Sequence, residues 1–143
     1  MFLLDANVLI YAFREDSPHH TACRAWLQDV LEGGATVLVP DLVEVALLRI
    51  CTHPTLGAAA APTEAVFTFL RDLHTLPNCE RVGLDEDSFA LYERLCGELP
   101  LRGNDMNDLY LAALALRHGA VLASVDQGFS RFGLLKWVDP RHG

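Results

Sequence analysis

Four carboxylates in this sequence could do chemistry if they met: Asp5 inside the apolar opening LLDANVLI, Glu44 in PDLVEVALLR, Asp108 in NDMNDLYLAALAL and Asp126 in ASVDQGF. An ionised carboxylate buried without a partner is costly enough that it usually shifts its pKa and becomes neutral. Asp5 is therefore either a hydrogen-bonded cap at a strand end or the neighbour of something positive. Two carboxylates about 5 Å apart repel by roughly 3 kcal/mol at an effective dielectric of about 20. Four brought together cannot all stay ionised without raised pKa values or a cation. Oxygen donors with no Cys/His set beside them select a hard ion, Mg²⁺ or Mn²⁺. Such an ion can generate hydroxide from water and neutralise charge on a phosphoryl group.

Whether the acids meet depends on the elements that carry them. FLLD reads as a short buried strand, too short to separate from a helix by period alone. The next clear helix runs from Pro18 to about Leu31, with Ser17 as N-cap and Gly33-Gly34 as its stop. ATVLVP is a second strand, β-branched and ended by Pro40. DLVEVALLRICT is a helix broken before His53-Pro54, and THPTLGAAAAPT is an ordered connection. A helix from Pro62 to His74 leads to a weaker third strand in LPNCERVGL. DEDSFALYERLCGEL is an acid-started helix, and NDMNDLYLAALALRHG is the strongest helix, stopped by Gly119. AVLASVD is a fourth strand, with LLKWV as a short fifth. Strands alternating with helices predict an α/β fold in one domain, residues 1–143, around a mainly parallel sheet of four or five strands.

Ligands of an open parallel sheet bind at the carboxyl ends of its strands. That rule puts Asp5 and Asp126 at the ends of the first and fourth strands. Glu44 falls in the first turn after the second strand, and Asp108 at the head of the inward stripe Leu111, Ala112 and Ala115. Each acid also has a plainer explanation. Asp41-x-x-Glu44 fits a capping box, Asp108 suits a helix N-terminus, and Asp126 suits a turn cap. Four acids assigned to one edge by one rule are the stronger signal, and capping is compatible with chemistry.

The combination LLDANVLI, PDLVEVALLR and RGNDMNDLYLAALALRHGAVLASVDQGF resembles the PIN-domain ribonucleases, and more narrowly the VapC toxins of bacterial toxin–antitoxin pairs. The likeness covers essentially the whole chain, including THPTLG and the closing WVDP. It implies a PIN fold whose acidic pocket holds Mg²⁺ or Mn²⁺, and hydrolysis of RNA phosphodiesters by a metal-activated water. It also implies a homodimer and a cognate VapB antitoxin whose C-terminal segment enters the pocket. The RNA would be a transfer RNA anticodon loop or a ribosomal stem-loop, recognised by shape. Carried over, the site acids are Asp5, Glu44, Asp108 and Asp126. Asp5 and Asp108 are the direct ligands, and Glu44 and Asp126 complete the shell. Ser124 falls where the family has a hydroxyl. Asp105, one turn before Asp108, is the alternative third acid or a rim acid. Asn7 and Asn104 are orienters of the site or local caps. Arg14, Arg49 and Arg102 are candidate phosphate holders.

Composition is compatible with this and excludes some classes. Of 143 residues 51% are hydrophobic, the formal charge is −8, and Lys136 is the only lysine. This is a globular composition, not a disordered one, and its mean hydropathy of +0.21 is consistent with apolar surface hidden against a partner. An acidic balance argues against nucleic acid, but arginine is the better phosphate clamp and acids gathered at a metal site inflate the negative count. The opening is too short to span a bilayer and has no basic flank, and Cys23, Cys51, Cys79 and Cys96 form no CxxC pair. Cytoplasm is the expected compartment, with no membrane. Three rivals remain. A haloacid-dehalogenase-like phosphatase needs an acid where Asn7 stands and a lysine better placed than Lys136. A PIN-like protein acting only by binding is a second. A zinc site of His19, Cys23, Cys51 and His53 is a third.

Overall fold

The computed structural model describes residues 1–143. The chain runs β1 (Phe2–Leu4), α1 (Ala6–Phe13), α2 (His20–Glu32), β2 (Val37–Pro40), α3 (Asp41–Cys51), α4 (Thr63–His74), β3 (Cys79–Val82), α5 (Glu86–Glu98), α6 (Asp105–His118), β4 (Val121–Ala123) and β5 (Trp137–Val138). Short 3₁₀ turns cover Pro54–Ala59 and Gln127–Arg131. The five strands form one sheet in the order β3-β2-β1-β4-β5, and every pairing is parallel. Leu3 is paired with Leu38 on one side and Leu122 on the other, so β1 is central. A strand covered on both faces must be apolar throughout, which is why FLL and VLVP carry no alternation. Leu3, Leu4, Val37, Val39 and Leu122 are fully buried in a core of 28 residues. Helix α6 is apolar nearly all round, buried from Leu109 to Ala115, and ends where Gly119 takes the left-handed conformation (φ 65°) that a Cβ disfavours. No helix is long and apolar enough to cross a membrane.

Two local expectations change. ANVLIYAF is a helix, α1, that follows β1 with a single residue between them, and that residue is Asp5. The next helix begins at His20 rather than Pro18: Ser17 Oγ accepts from the His19 N–H at 3.1 Å, closing a turn before the helix proper.

In the order 3-2-1-4-5, chain connections leave β1 in one direction and β4 in the other. The crevice at the carboxyl ends of β1 and β4 is the topological switch point, where such sheets bind ligands.

Candidate functional site

Asp5 follows β1 and caps α1. Its Oδ1 accepts the Ala6 N–H at 2.7 Å, which satisfies one of the orphan donors of the helix. Its Oδ2 accepts from Ser124 Oγ at 2.7 Å and from Asn7 Nδ2 at 3.2 Å. Ser124 is fully buried just past β4, and its hydroxyl also receives the Asp126 N–H at 3.0 Å. Asn7 ties the two strand ends together: Nδ2 reaches Ser124 Oγ and Oδ1 accepts the Val125 N–H, both at 3.2 Å. Of the two alternatives for Asp5, the structure shows the first, and no cation touches its carboxylate. It is a cap, and it faces like charges.

Burial pushes the Asp5 carboxyl above the ordinary carboxylate range, and the charges of Asp108 and Asp126 push it further, against the opposing hydrogen bonds from Ser124 and Ala6. Asp126 caps its own turn through the Gly128 N–H at 2.8 Å. Of the two acids on the first turn of α6, Asp108 is the one whose charge acts on Asp5. Asp108 is also less exposed than Asp105, 28% against 44% of the side chain.

Glu44 does not join them. It is buried at 6% exposure, and its carboxylate is taken by His74 Nε2 on one oxygen and Arg81 Nε on the other, with Arg81 Nη2 at 3.4 Å. It is absent from the charges acting on Asp5. The expected capping box is not made either, since Asp41 accepts the Leu42 N–H while Glu44 turns to the β3 side. The physical reason is that a first-turn side chain on α3 meets the His74 imidazole from α4 and the Arg81 guanidinium from β3 before it can reach β1. The zinc alternative also falls: no three His, Cys, Asp or Glu side chains stand close enough to hold a metal ion as they are placed. His53 instead receives the Thr55 N–H, and Cys23 and Cys51 are buried free thiols.

The cation that does reach the acids was not among the arginines singled out in the sequence. Arg14 forks onto Asp16, whereas Arg131 Nη2 donates to Asp108 Oδ2 at 2.9 Å and to Asp105 Oδ1 at 3.2 Å. It sits in DQGFSRFG on the short turn that starts at Asp126, where the sequence does not set it apart from a solvated arginine.

The aspartates also stand too far apart, as placed, to close around an ion, but the chemistry of their donors suits a hard divalent cation. Asp5, Asp108 and Asp126 offer only oxygen, and a carboxyl driven upward first by burial and then by its neighbours' charge is one that a hard cation would relieve.

A switch-point crevice lined by aspartates on a 3-2-1-4-5 parallel sheet is the pattern for which comparison with known proteins is decisive. The PIN domain pattern matches residues 2–135. Ribonuclease VapC31 of Mycobacterium tuberculosis (strain ATCC 25618 / H37Rv) is 32% identical over 140 residues, which are 98% of this chain and 99% of that protein. Among solved structures, VapBC2 from Rickettsia felis, bound to a DNA fragment from its promoter, superposes with a TM-score of 0.71 at 20% identity, covering 96% of both chains. VapC20 of M. tuberculosis, described as a sarcin-ricin-loop-cleaving toxin, superposes with a TM-score of 0.66 at 11% identity over 93% of this chain and 95% of that one. The chain belongs to the PIN-domain family, and within it to the VapC ribonucleases.

Proposed function

We propose that the chain is the toxin of a toxin–antitoxin pair, an endoribonuclease that needs Mg²⁺ or Mn²⁺. The observation that carries the chemistry is the position of Asp5: mostly buried, held by three hydrogen bonds, and facing the charges of Asp108 and Asp126. Asp5, Asp108 and Asp126 would hold the ion, with Asp105 at the rim and Glu44 outside. When bound, the ion supplies a water of lowered pKa and offsets charge on the phosphoryl oxygens. Ser124 and Asn7 fix the orientation of the Asp5 carboxylate, because each also bonds the chain after β4 and neither can turn without breaking that tie. A carboxylate of the pocket takes the proton from the attacking water.

The relatives support the rest of the reading. VapBC2 and similar solved assemblies pair this fold with an antitoxin, and here an apolar cleft lined by Phe13, Leu27, Leu31, Phe69, Leu73 and Leu76 offers a partner helix a seat. Leu42 and Val45, each 57% exposed on α3, are apolar surface that a homodimer would cover. A single cytoplasmic domain acting on a ribosomal or transfer RNA loop fits this set.

The test is cleavage of total bacterial RNA by wild type and Asp108→Asn, with Mg²⁺ or Mn²⁺ and with EDTA. Discrete fragments from the wild type are expected, lost in EDTA and reduced by more than about a hundredfold in the variant, beyond what loss of a supporting partner costs. Cleavage that survives both changes would move the chemistry elsewhere. A wild type that binds metal and cuts nothing would leave a binding protein.

A further inference from the structure

Arg131 is the one cation of the chain's own that touches these acids. It ends the turn Gln127–Arg131, which begins at Asp126, so a single short segment carries an acid and a base to the same place. Nη2 bridges Asp108 Oδ2 (2.9 Å) and Asp105 Oδ1 (3.2 Å), Nη1 donates to the Gly128 carbonyl at 2.5 Å, and the guanidinium lies 4.4 Å from the centroid of the Phe132 ring. Gly128 makes this packing possible. A Cβ there would fall 2.8 Å from Nη1 and 3.0 Å from Asp126 Oδ1, so a side chain at this position would displace the guanidinium. The Arg131 side chain keeps 35% of its exposure. Its ion pairs are therefore of the solvent-screened kind that form and open readily, not a buried bridge that fixes the fold.

Without Arg131, Asp108 and Asp126 would face Asp5 with no guanidinium among them. With it, one oxygen each of Asp108 and Asp105 is already engaged. We infer that Arg131 is the resident counter-ion of the acid pocket and, anchored also on the rim acid Asp105, competes by direct contact with a divalent cation for Asp108, setting the affinity of the site for metal. This rests on the ribonuclease reading above, in which Asp108 holds the ion.

The experiment is calorimetric titration of the full chain with MnCl₂, for wild type, Arg131→Gln, Arg131→Lys and Asp108→Asn. Arg131→Gln binds Mn²⁺ more tightly than wild type, by about three- to tenfold, the scale of two screened ion pairs released. A damaged fold would weaken binding, so the direction itself separates competition from misfolding. Arg131→Lys lies between the two, because an ammonium keeps the charge and lacks the planar fork that spans two carboxylates. Equal or weaker binding by Arg131→Gln, with wild-type binding still dependent on Asp108, overturns the competition and leaves the ribonuclease reading standing. A lysine variant indistinguishable from wild type reduces the effect to long-range charge and also overturns it. Absence of Mn²⁺ binding in both wild type and Arg131→Gln overturns the competition and the metal site together.

Discussion

Carboxylates meet cations at several places along the carboxyl edge of this sheet, Asp139 with Arg141 just past β5 among them, and two of these places are built differently. Beside β2 and β3, one buried acid, Glu44, is shared by His74 and Arg81. Beside β1 and β4, Asp5, Asp105, Asp108 and Asp126 share one guanidinium, Arg131, and it touches only two of them. The first cluster is saturated and has no use for another cation. The second is under-neutralised, and the strain shows in Asp5, whose carboxyl is driven upward by burial and by its acidic neighbours. Residue type and strand edge are the same in both. What separates a structural ion pair from a candidate metal site is how many positive partners the fold already provides.

The largest effect should come from breaking the saturated cluster. In His74→Ala/Arg81→Ala, Glu44 keeps its burial and loses both partners, and a stranded buried charge costs about 3–5 kcal/mol. Urea unfolding should show a loss on this scale, and adding Glu44→Gln should recover most of it by removing the charge. The protein that remains folded should cleave RNA as the wild type does. Loss of cleavage at full folding would join Glu44 to the chemistry and dissolve the distinction.

Asp5→Asn sharpens the other half. A carboxyl whose folded pKa lies above its unfolded one binds more protons folded than unfolded, so it lowers stability as pH rises through the interval between the two values. Asn has no such dependence. In EDTA, the stability of Asp5→Asn relative to wild type should therefore grow from about pH 4 upward, reaching equal or greater stability at neutral pH. Urea midpoints at both ends of that range measure it. A deficit that stays constant with pH would make Asp5 a cap and nothing more.

The contrast also explains what could be read from the chain before its structure. Elements with their own punctuation were legible: α6 from its length and its stop at Gly119, β2 from VLVP, the long loop from His53-Pro54. Helix α1 was not, because ANVLIYAF continues an apolar run and only Asp5 divides strand from helix, so the period had nothing to arbitrate. The placing of Asp5 and Asp126 at neighbouring strand ends followed from one fold rule, because there the backbone itself fixes position, whereas Asn7 and Ser124 were named through the family resemblance. Glu44 shows the limit of that rule. Strand order places the first turn of α3 at the right edge, but its side chain answers to His74 and Arg81, 30 and 37 residues away, which no spacing announces. Arg131 was missed for the opposite reason. It lies close in sequence to Asp126, but an arginine in a polar turn looks like any solvated one until the turn is seen folding back onto α6.

One hydrogen bond links the two regions, and it should carry the smallest effect. Tyr110, two residues beyond Asp108 on α6, donates its hydroxyl to Asp41 Oδ1 at 3.3 Å, and the charge of Asp41 in turn acts on Arg81. Burial first, and then Asp41, hold the Tyr110 phenol far above its ordinary range, so it is a neutral donor at any working pH. The bond is long and its acceptor is exposed, so water replaces the phenol when Phe takes its place. Tyr110→Phe should cost no more than about 1 kcal/mol in urea unfolding. Its Mn²⁺ affinity should match the wild type, because nothing on Asp108 or Arg131 changes. If Tyr110→Phe instead shifted Mn²⁺ affinity as far as Arg131→Gln does, then Asp41, Glu44 and the aspartates would form one coupled network, and the division between a saturated cluster and an open one would have to be given up.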